Sequence, residues 1–163
     1  MSGSGKTTVA PEVAALLHVA WCDLDRRVAD RAGQSVVDLF RRYGEQRFRE
    51  LERDEMAAAL VEPPQVIAAG GGWASDPGNL AAAKAAAAVV YLSISPEEAA
   101  TRLEGAGDRP LLDGASLVGR LAAQLAIREP FYSQADAVVP AGERTPEAVA
   151  SAVVEAVRQL GNW

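Results

Sequence analysis

Short apolar runs alternate along the chain with stretches of helical spacing. Thr7 to Leu17 carries Val9, Val13, Leu16 and Leu17 on a helical period, and Pro11 falls close enough to the start to be tolerated. Val19 to Cys22 reads as a short buried strand, and Arg26 to Ala32 as a helix that stops near Gly33. Ser35 is a good N-cap for a helix through Val36, Val37, Leu39 and Phe40. Gly44 breaks that pattern, Glu45 to Leu60 resumes it, and Pro63-Pro64 ends it.

Val66 to Ala69 is the next strand and runs into Gly70-Gly71-Gly72. Asp76-Pro77-Gly78 has turn chemistry and precedes an alanine-rich helix from Leu80 to Ala87. Val89 to Ile94 is the clearest strand, and Ser95-Pro96-Glu97-Glu98 starts a helix. Gly105 to Gly114 reads as a mobile loop, Leu117 to Arg128 as a helix ending before Pro130, and Asp136 to Pro140 as a last strand. Thr145-Pro146-Glu147 caps a final helix with the apolar stripe Val149, Val153, Val154, Val157 and Leu160. Strands separated by helices predict a parallel sheet covered on both faces, with ligands gathered at the carboxyl ends of its strands.

Composition narrows the chemistry. The 163 residues suit a single domain, and the formal charge of −6 gives no general attraction for nucleic acid, so a bound anion must meet a local positive site. One cysteine, Cys22, and one histidine, His18, exclude a disulfide framework and multi-Cys or multi-His metal sites, and point to a reducing compartment. No apolar run approaches the roughly 20 residues of a membrane span. Met1 leads straight into Ser-Gly-Ser-Gly-Lys, with no secretory leader to be expected.

The strongest motif is Gly3-Ser4-Gly5-Lys6-Thr7-Thr8 opening a helix. Glycines let backbone N–H groups turn toward phosphate oxygens, and the helix N-terminus adds positive charge. Lys6 can reach the β- and γ-phosphates, and the Thr7 hydroxyl can ligate Mg²⁺. Asp23 and Asp25, two apart at a strand end, are expected to face the same side, one for a cation and one for a substrate hydroxyl. Glu45, Arg49 and Glu52 share a helix face, where a carboxylate can hold the Arg49 guanidinium for an anionic substrate; an exposed salt-bridge stripe would use the same spacing. The triple glycine lets backbone pass close to a ligand. Arg109, in the glycine-rich loop, is placed as phosphoryl transfer favours. Arg128 admits a simpler reading as a cation at a helix C-terminus.

Taken together, these residues resemble shikimate kinase, a member of the nucleoside-monophosphate-kinase structural group, from Met1 to about Leu160. Asp23-Leu24-Asp25 matches the family's Asp-x-Asp. Gly33 to Phe40 matches its Gly-x-Ser-(Ile/Val)-x-(Asp/Glu)-(Ile/Leu)-Phe, and Gly44 to Glu52 its Gly-Glu-x-x-Phe-Arg-x-x-Glu. The triple glycine, the Arg109-Pro110-Leu111-Leu112 of the lid and the Arg128-x-Pro130-x-Tyr132 that follows come in the same order.

The resemblance implies one α/β domain over residues 1–163, a three-layer α/β/α P-loop kinase with its parallel sheet in the order 2-3-1-4-5, a shikimate-binding segment at about 24–61 and a lid at about 105–118. It implies a cytoplasmic, monomeric enzyme that uses ATP and Mg²⁺ to phosphorylate the 3-hydroxyl of shikimate, a step of chorismate and aromatic amino-acid biosynthesis, with neither nucleic acid nor membrane as partner. By resemblance Lys6 and Arg109 stabilise the transferring phosphoryl group, and Gly3, Ser4, Gly5 and Thr8 complete the phosphate loop. Thr7 and Asp23 serve the metal. Asp25 holds the shikimate hydroxyls and takes the proton. Arg49 and Arg128 clamp the carboxylate against Gly70, Gly71 and Gly72, and Arg102, Arg144 and Pro146 pack the adenine.

Two departures stand out. Trp73 follows the triple glycine where the family has a small residue, so an altered substrate wall is expected. The family's first strand has no counterpart before Gly3, so the sheet is expected to have a gap. Two other readings draw on the same motifs: a gluconate-kinase-like enzyme, and an inactive nucleotide-binding remnant.

Overall fold

The computed structural model describes residues 1–105 and 116–161. Four short strands, β1 (Ala20–Asp23), β2 (Gln65–Ala68), β3 (Val90–Ser93) and β4 (Ala137–Pro140), alternate with helices. The helices are α1 (Lys6–Leu17), α2 (Leu24–Ala32), α3 (Val36–Leu60), α4 (Pro77–Ala86), α5 (Pro96–Gly105), α6 (Leu117–Tyr132) and α7 (Pro146–Gln159). The strands pair in parallel as two separate ribbons, β1 with β2 and β3 with β4. As the motifs led one to expect, no strand among the described residues pairs with the facing edges of β2 and β3. Between those edges lies an apolar cavity of about 250 Å³, lined by Val66, Ile67, Ala68, Val90, Tyr91 and Leu92 among others.

Strand alternation divides the core into two faces. Val66, Val90 and Leu92 pack with Val9 and Val13 of α1 and Val149, Val153 and Val157 of α7. On the other face Ile67 and Val89 meet Leu24, Met56, Trp73 and Ala83, and Tyr91 meets Leu121 and Tyr132. The result is a sheet layer between two helical layers.

Several elements depart from local expectation for physical reasons. Asp76-Pro77-Gly78 is the first turn of α4 itself: the Asp76 carboxylate caps it by accepting from the Gly78 N–H at 2.8 Å, with Pro77 at the start. Helix α3 runs from Val36 to Leu60 with a kink at Gly44, whose φ of 78° only glycine adopts cheaply. Helix α6 continues through Pro130 to Tyr132, so Arg128 is not in its last turn and its placement owes nothing to the helix end. The carbonyl at Ala126 that Pro130 leaves without a donor is on the exposed side of the helix.

Candidate active site

The phosphate-loop residues wrap the start of α1. Gly3 (φ 77°) and Gly5 (φ 84°) are both left-handed, and a Cβ on Gly3 would come within 2.8 Å of the Ala99 carbonyl oxygen. Ser4 is buried, and its hydroxyl donates to the Met1 carbonyl at 3.0 Å. The Lys6 ammonium lies back across the loop, donating to the same carbonyl at 2.8 Å and to Ser4 Oγ at 3.4 Å. Burial pushes the Lys6 ammonium below the usual lysine range, while Asp25 and Asp23 pull it back up. Thr8 is exposed on the first turn of the helix.

Thr7 Oγ1 donates to Asp23 Oδ2 at 2.9 Å. Asp23 closes β1 and caps α2, its other oxygen accepting from the Arg26 N–H at 3.1 Å. Asp25 already lies in the first turn of α2, so the two aspartates reach the site from a cap and a helical turn, not from one face of a strand. Burial, reinforced by Asp23, holds the Asp25 carboxyl above the usual aspartate value, against the pull of Lys6 and Arg49.

Each glycine of the triplet makes room for a different group. A Cβ on Gly70 would sit 2.8 Å from both Asp25 Oδ1 and Glu52 Oε1, two buried oxygens with no hydrogen-bond partner among the described residues. The Gly71 carbonyl accepts a hydrogen bond from the Tyr132 hydroxyl. A Cβ on Gly72 would collide with the Arg49 guanidinium. None of the three has positive φ, so close approach calls for glycine at Gly70 and Gly72, while a Cβ at Gly71 would meet nothing nearer than 3.4 Å.

The Glu45–Arg49–Glu52 stripe runs from an exposed Glu45 to a buried Glu52. Arg49 pairs with Glu45 at 3.0 Å and, through Nη1, with Glu52, whose side chain is 1% exposed. Burial raises the Glu52 carboxyl above the usual glutamate value despite the Arg49 partner. Phe48 belongs to the core with Val28 and Leu39. Burial raises the Tyr132 hydroxyl above the usual tyrosine value, while the charges of Arg128 and Arg49 pull it back, so both arginines lie on the side of the site where this hydroxyl meets Gly71.

At the other end of the loop, Arg102 of α5 lies 3.6 Å from the Cβ position of Gly5 and donates to the Ala141 and Gly142 carbonyls at 2.6 and 3.1 Å. Arg144, exposed, and Pro146, at the start of α7, follow on the same connection. Arg109, and most of the 105–118 lid, lie outside the described residues. Trp73 overturns one expectation. It is 4% exposed and packs on Leu24, Met56 and Ala83, so it belongs to the core. Tyr132 is the residue that site reasoning passed over; its only signal was its place in the Arg-x-Pro-x-Tyr run.

The chain matches the model of the shikimate kinase family over residues 2–158. The chain belongs to the shikimate kinase family. It is 36% identical over 158 residues to the shikimate kinase of Caldanaerobacter subterraneus subsp. tengcongensis, covering 97% of this chain and 92% of that one. It is 37% identical over 157 residues to that of Geobacter sulfurreducens, covering 96% and 87%. Among solved structures, shikimate kinase from Acinetobacter baumannii in complex with shikimate superposes with a TM-score of 0.89 at 26% identity, over 99% of this chain and 90% of that one. Shikimate kinase from Aquifex aeolicus superposes with a TM-score of 0.85 at 28% identity, over 98% and 94%. The likeness carries the α/β P-loop kinase fold over nearly the whole chain.

Proposed function

We propose that this protein is a shikimate kinase, which transfers the γ-phosphoryl group of ATP to the 3-hydroxyl of shikimate with Mg²⁺, in chorismate and aromatic amino-acid biosynthesis. The observation that carries the reading is the Arg49 guanidinium packed against Gly72, with Arg128 one helical turn before the Tyr132 whose hydroxyl bonds to Gly71. Two guanidinium groups over backbone stripped of side chains suit a carboxylate on a small ring.

The donor set fits Mg²⁺. Thr7 and Asp23 put two hard oxygens 2.9 Å apart at the start of α1, and Mg²⁺ is bound by one or two protein oxygens beside substrate phosphates and water. Bound Mg-ATP supplies the phosphoryl group and neutralises charge between the phosphates. Gly3, Ser4, Gly5 and Thr8 shape the phosphate cradle, and Lys6 leaves the Met1 carbonyl to meet phosphate oxygens. Arg102, Arg144 and Pro146 form the adenine side.

Asp25 orients the substrate hydroxyl and accepts its proton as the new oxygen–phosphorus bond forms and the bond to the ADP oxygen breaks. Its raised proton affinity suits an acceptor. Arg49 and Arg128 hold the carboxylate, with Gly70, Gly71 and Gly72 against the ring. Arg109 of the lid shares the phosphoryl charge with Lys6. We place the shikimate-binding segment at 24–61 within a single domain and the enzyme in the cytoplasm as a monomer. No helix among the described residues is long and apolar enough to cross a membrane.

The test is a coupled ADP-release assay with shikimate and gluconate as alternative acceptors, beside calorimetric titrations with ATP and with shikimate. Shikimate-dependent turnover that gluconate does not support is expected. Binding of ATP without binding or turnover of shikimate would overturn the reading in favour of a nucleotide-binding remnant.

A further inference from the structure

We propose that Tyr132 is a positioning residue that joins the two halves of the carboxylate site. This rests on the reading of Arg49 and Arg128 as the substrate clamp. The two arginines come from helices far apart in the chain, Arg49 from α3 and Arg128 from α6. The Gly70–Gly72 segment meets Arg49 of α3 at Gly72 and Tyr132 of α6 at Gly71. Tyr132 stands one helical turn after Arg128 on the same face of α6, which it reaches only because the helix continues through Pro130.

The Tyr132 hydroxyl donates to the Gly71 carbonyl, and its ring stands on the same face of α6 as Arg128. Its ring is anchored at 6% exposure among Tyr91, Ile94 and Leu121, with the Tyr91 centroid 4.9 Å away. One phenol thus ties α6 to the glycine segment, and Gly72 in turn sets where the Arg49 guanidinium can lie. A Cβ at Gly71 would come 3.4 Å from the phenolic oxygen, an ordinary van der Waals contact, so the hydrogen bond to the carbonyl makes the tie. The hydroxyl is held inside the protein by these partners and acts on substrate through them.

Tyr132→Phe in the full chain keeps the ring and removes only the hydroxyl. The KM for shikimate is expected to rise about three- to ten-fold, the scale of one hydrogen bond, with the KM for ATP unchanged. In the protein without ligands, hydrogen exchange is expected to speed up at the amides of residues 72–75 and not in β3 or α7. The exchange measurement needs no substrate, so it decides the positioning contact even if shikimate proves not to be the acceptor. Unchanged exchange at residues 72–75 would overturn the proposal. So would a variant in which both KM values rise alike and the melting temperature falls, the pattern of a merely structural ring.

Discussion

Arg49 lies against Gly72 so closely that a Cβ at position 72 would fall within its guanidinium. The same arginine is held from behind by Glu45 and by the buried Glu52, so it cannot retreat without breaking an ion pair. Gly72 has φ −86° and ψ −17°, which any residue adopts. Gly72→Ala therefore tests space alone. Displacing the guanidinium should raise the KM for shikimate toward that of Arg49→Ala, about 10–150-fold for one charge-assisted contact, with the KM for ATP little changed. Steady-state kinetics with each substrate varied in turn checks this, and an unaltered shikimate KM in Gly72→Ala would place the clamp elsewhere.

Lys6→Ala should abolish turnover, by about 100-fold or more, and leave the fold intact. Among the described residues Lys6 makes two hydrogen bonds, to the Met1 carbonyl and to Ser4 Oγ beside its own loop. Circular dichroism and a coupled assay on the purified variant are the measurement. Substantial remaining activity would remove Lys6 from the chemistry.

Trp73→Ala should cost stability and not substrate affinity. The ring is packed among Leu24, Met56 and Ala83, and emptying such a site costs about 3–5 kcal/mol. Chemical denaturation gives the first quantity, and the shikimate KM, measured below the melting temperature, gives the second. A large rise in KM with unchanged stability would return the ring to the substrate wall.

Glu62, just past the end of α3, bonds to Arg27 of α2 through two hydrogen bonds at 2.6 and 2.9 Å, and the Arg27 guanidinium, with help from Gln65, draws the Glu62 carboxyl down to about 2. A carboxyl depressed in the folded state adds stability above its unfolded value of 4.5 and loses it as pH falls toward 2. The gap in melting temperature between the wild-type chain and Glu62→Gln should be small at the acid end of that window and widest above it. Thermal melts from acid to neutral pH would show this, and a gap that does not depend on pH would rule it out.

The apolar cavity between β2 and β3 is bordered on both sides by strand edges with unused backbone groups. Joining an extended apolar segment of about ten residues ending in a glycine ahead of Met1 should fill it, raise the melting temperature and tighten ATP binding by steadying the Gly3–Thr7 loop. Both chains would be compared by thermal melting, light scattering and calorimetry. Equal values would mean that the two ribbons are held as firmly by α1 and α7 alone.

The sequence by itself determined the order of helices and strands, most of the caps, the phosphate loop and the kink at Gly44. These depend on neighbours within about four residues, where propensity, capping and periodicity act. Contacts between distant segments had to be seen. Gly70 answers to Asp25 and Glu52, Gly71 to Tyr132 and Gly72 to Arg49, each across a long stretch of chain, so a run of three glycines read only as freedom until its neighbours were in place. Burial decided the rest. The pattern Glu45–Arg49–Glu52 is the same for a solvated stripe as for a clamp, and only the burial of Glu52 and the packing of Arg49 against Gly72 distinguish it from a solvated stripe. Packing also drew Trp73 into the core and carried α6 past Pro130, because the burial of Tyr132 and its bond to Gly71 outweigh one helical hydrogen bond lost to water.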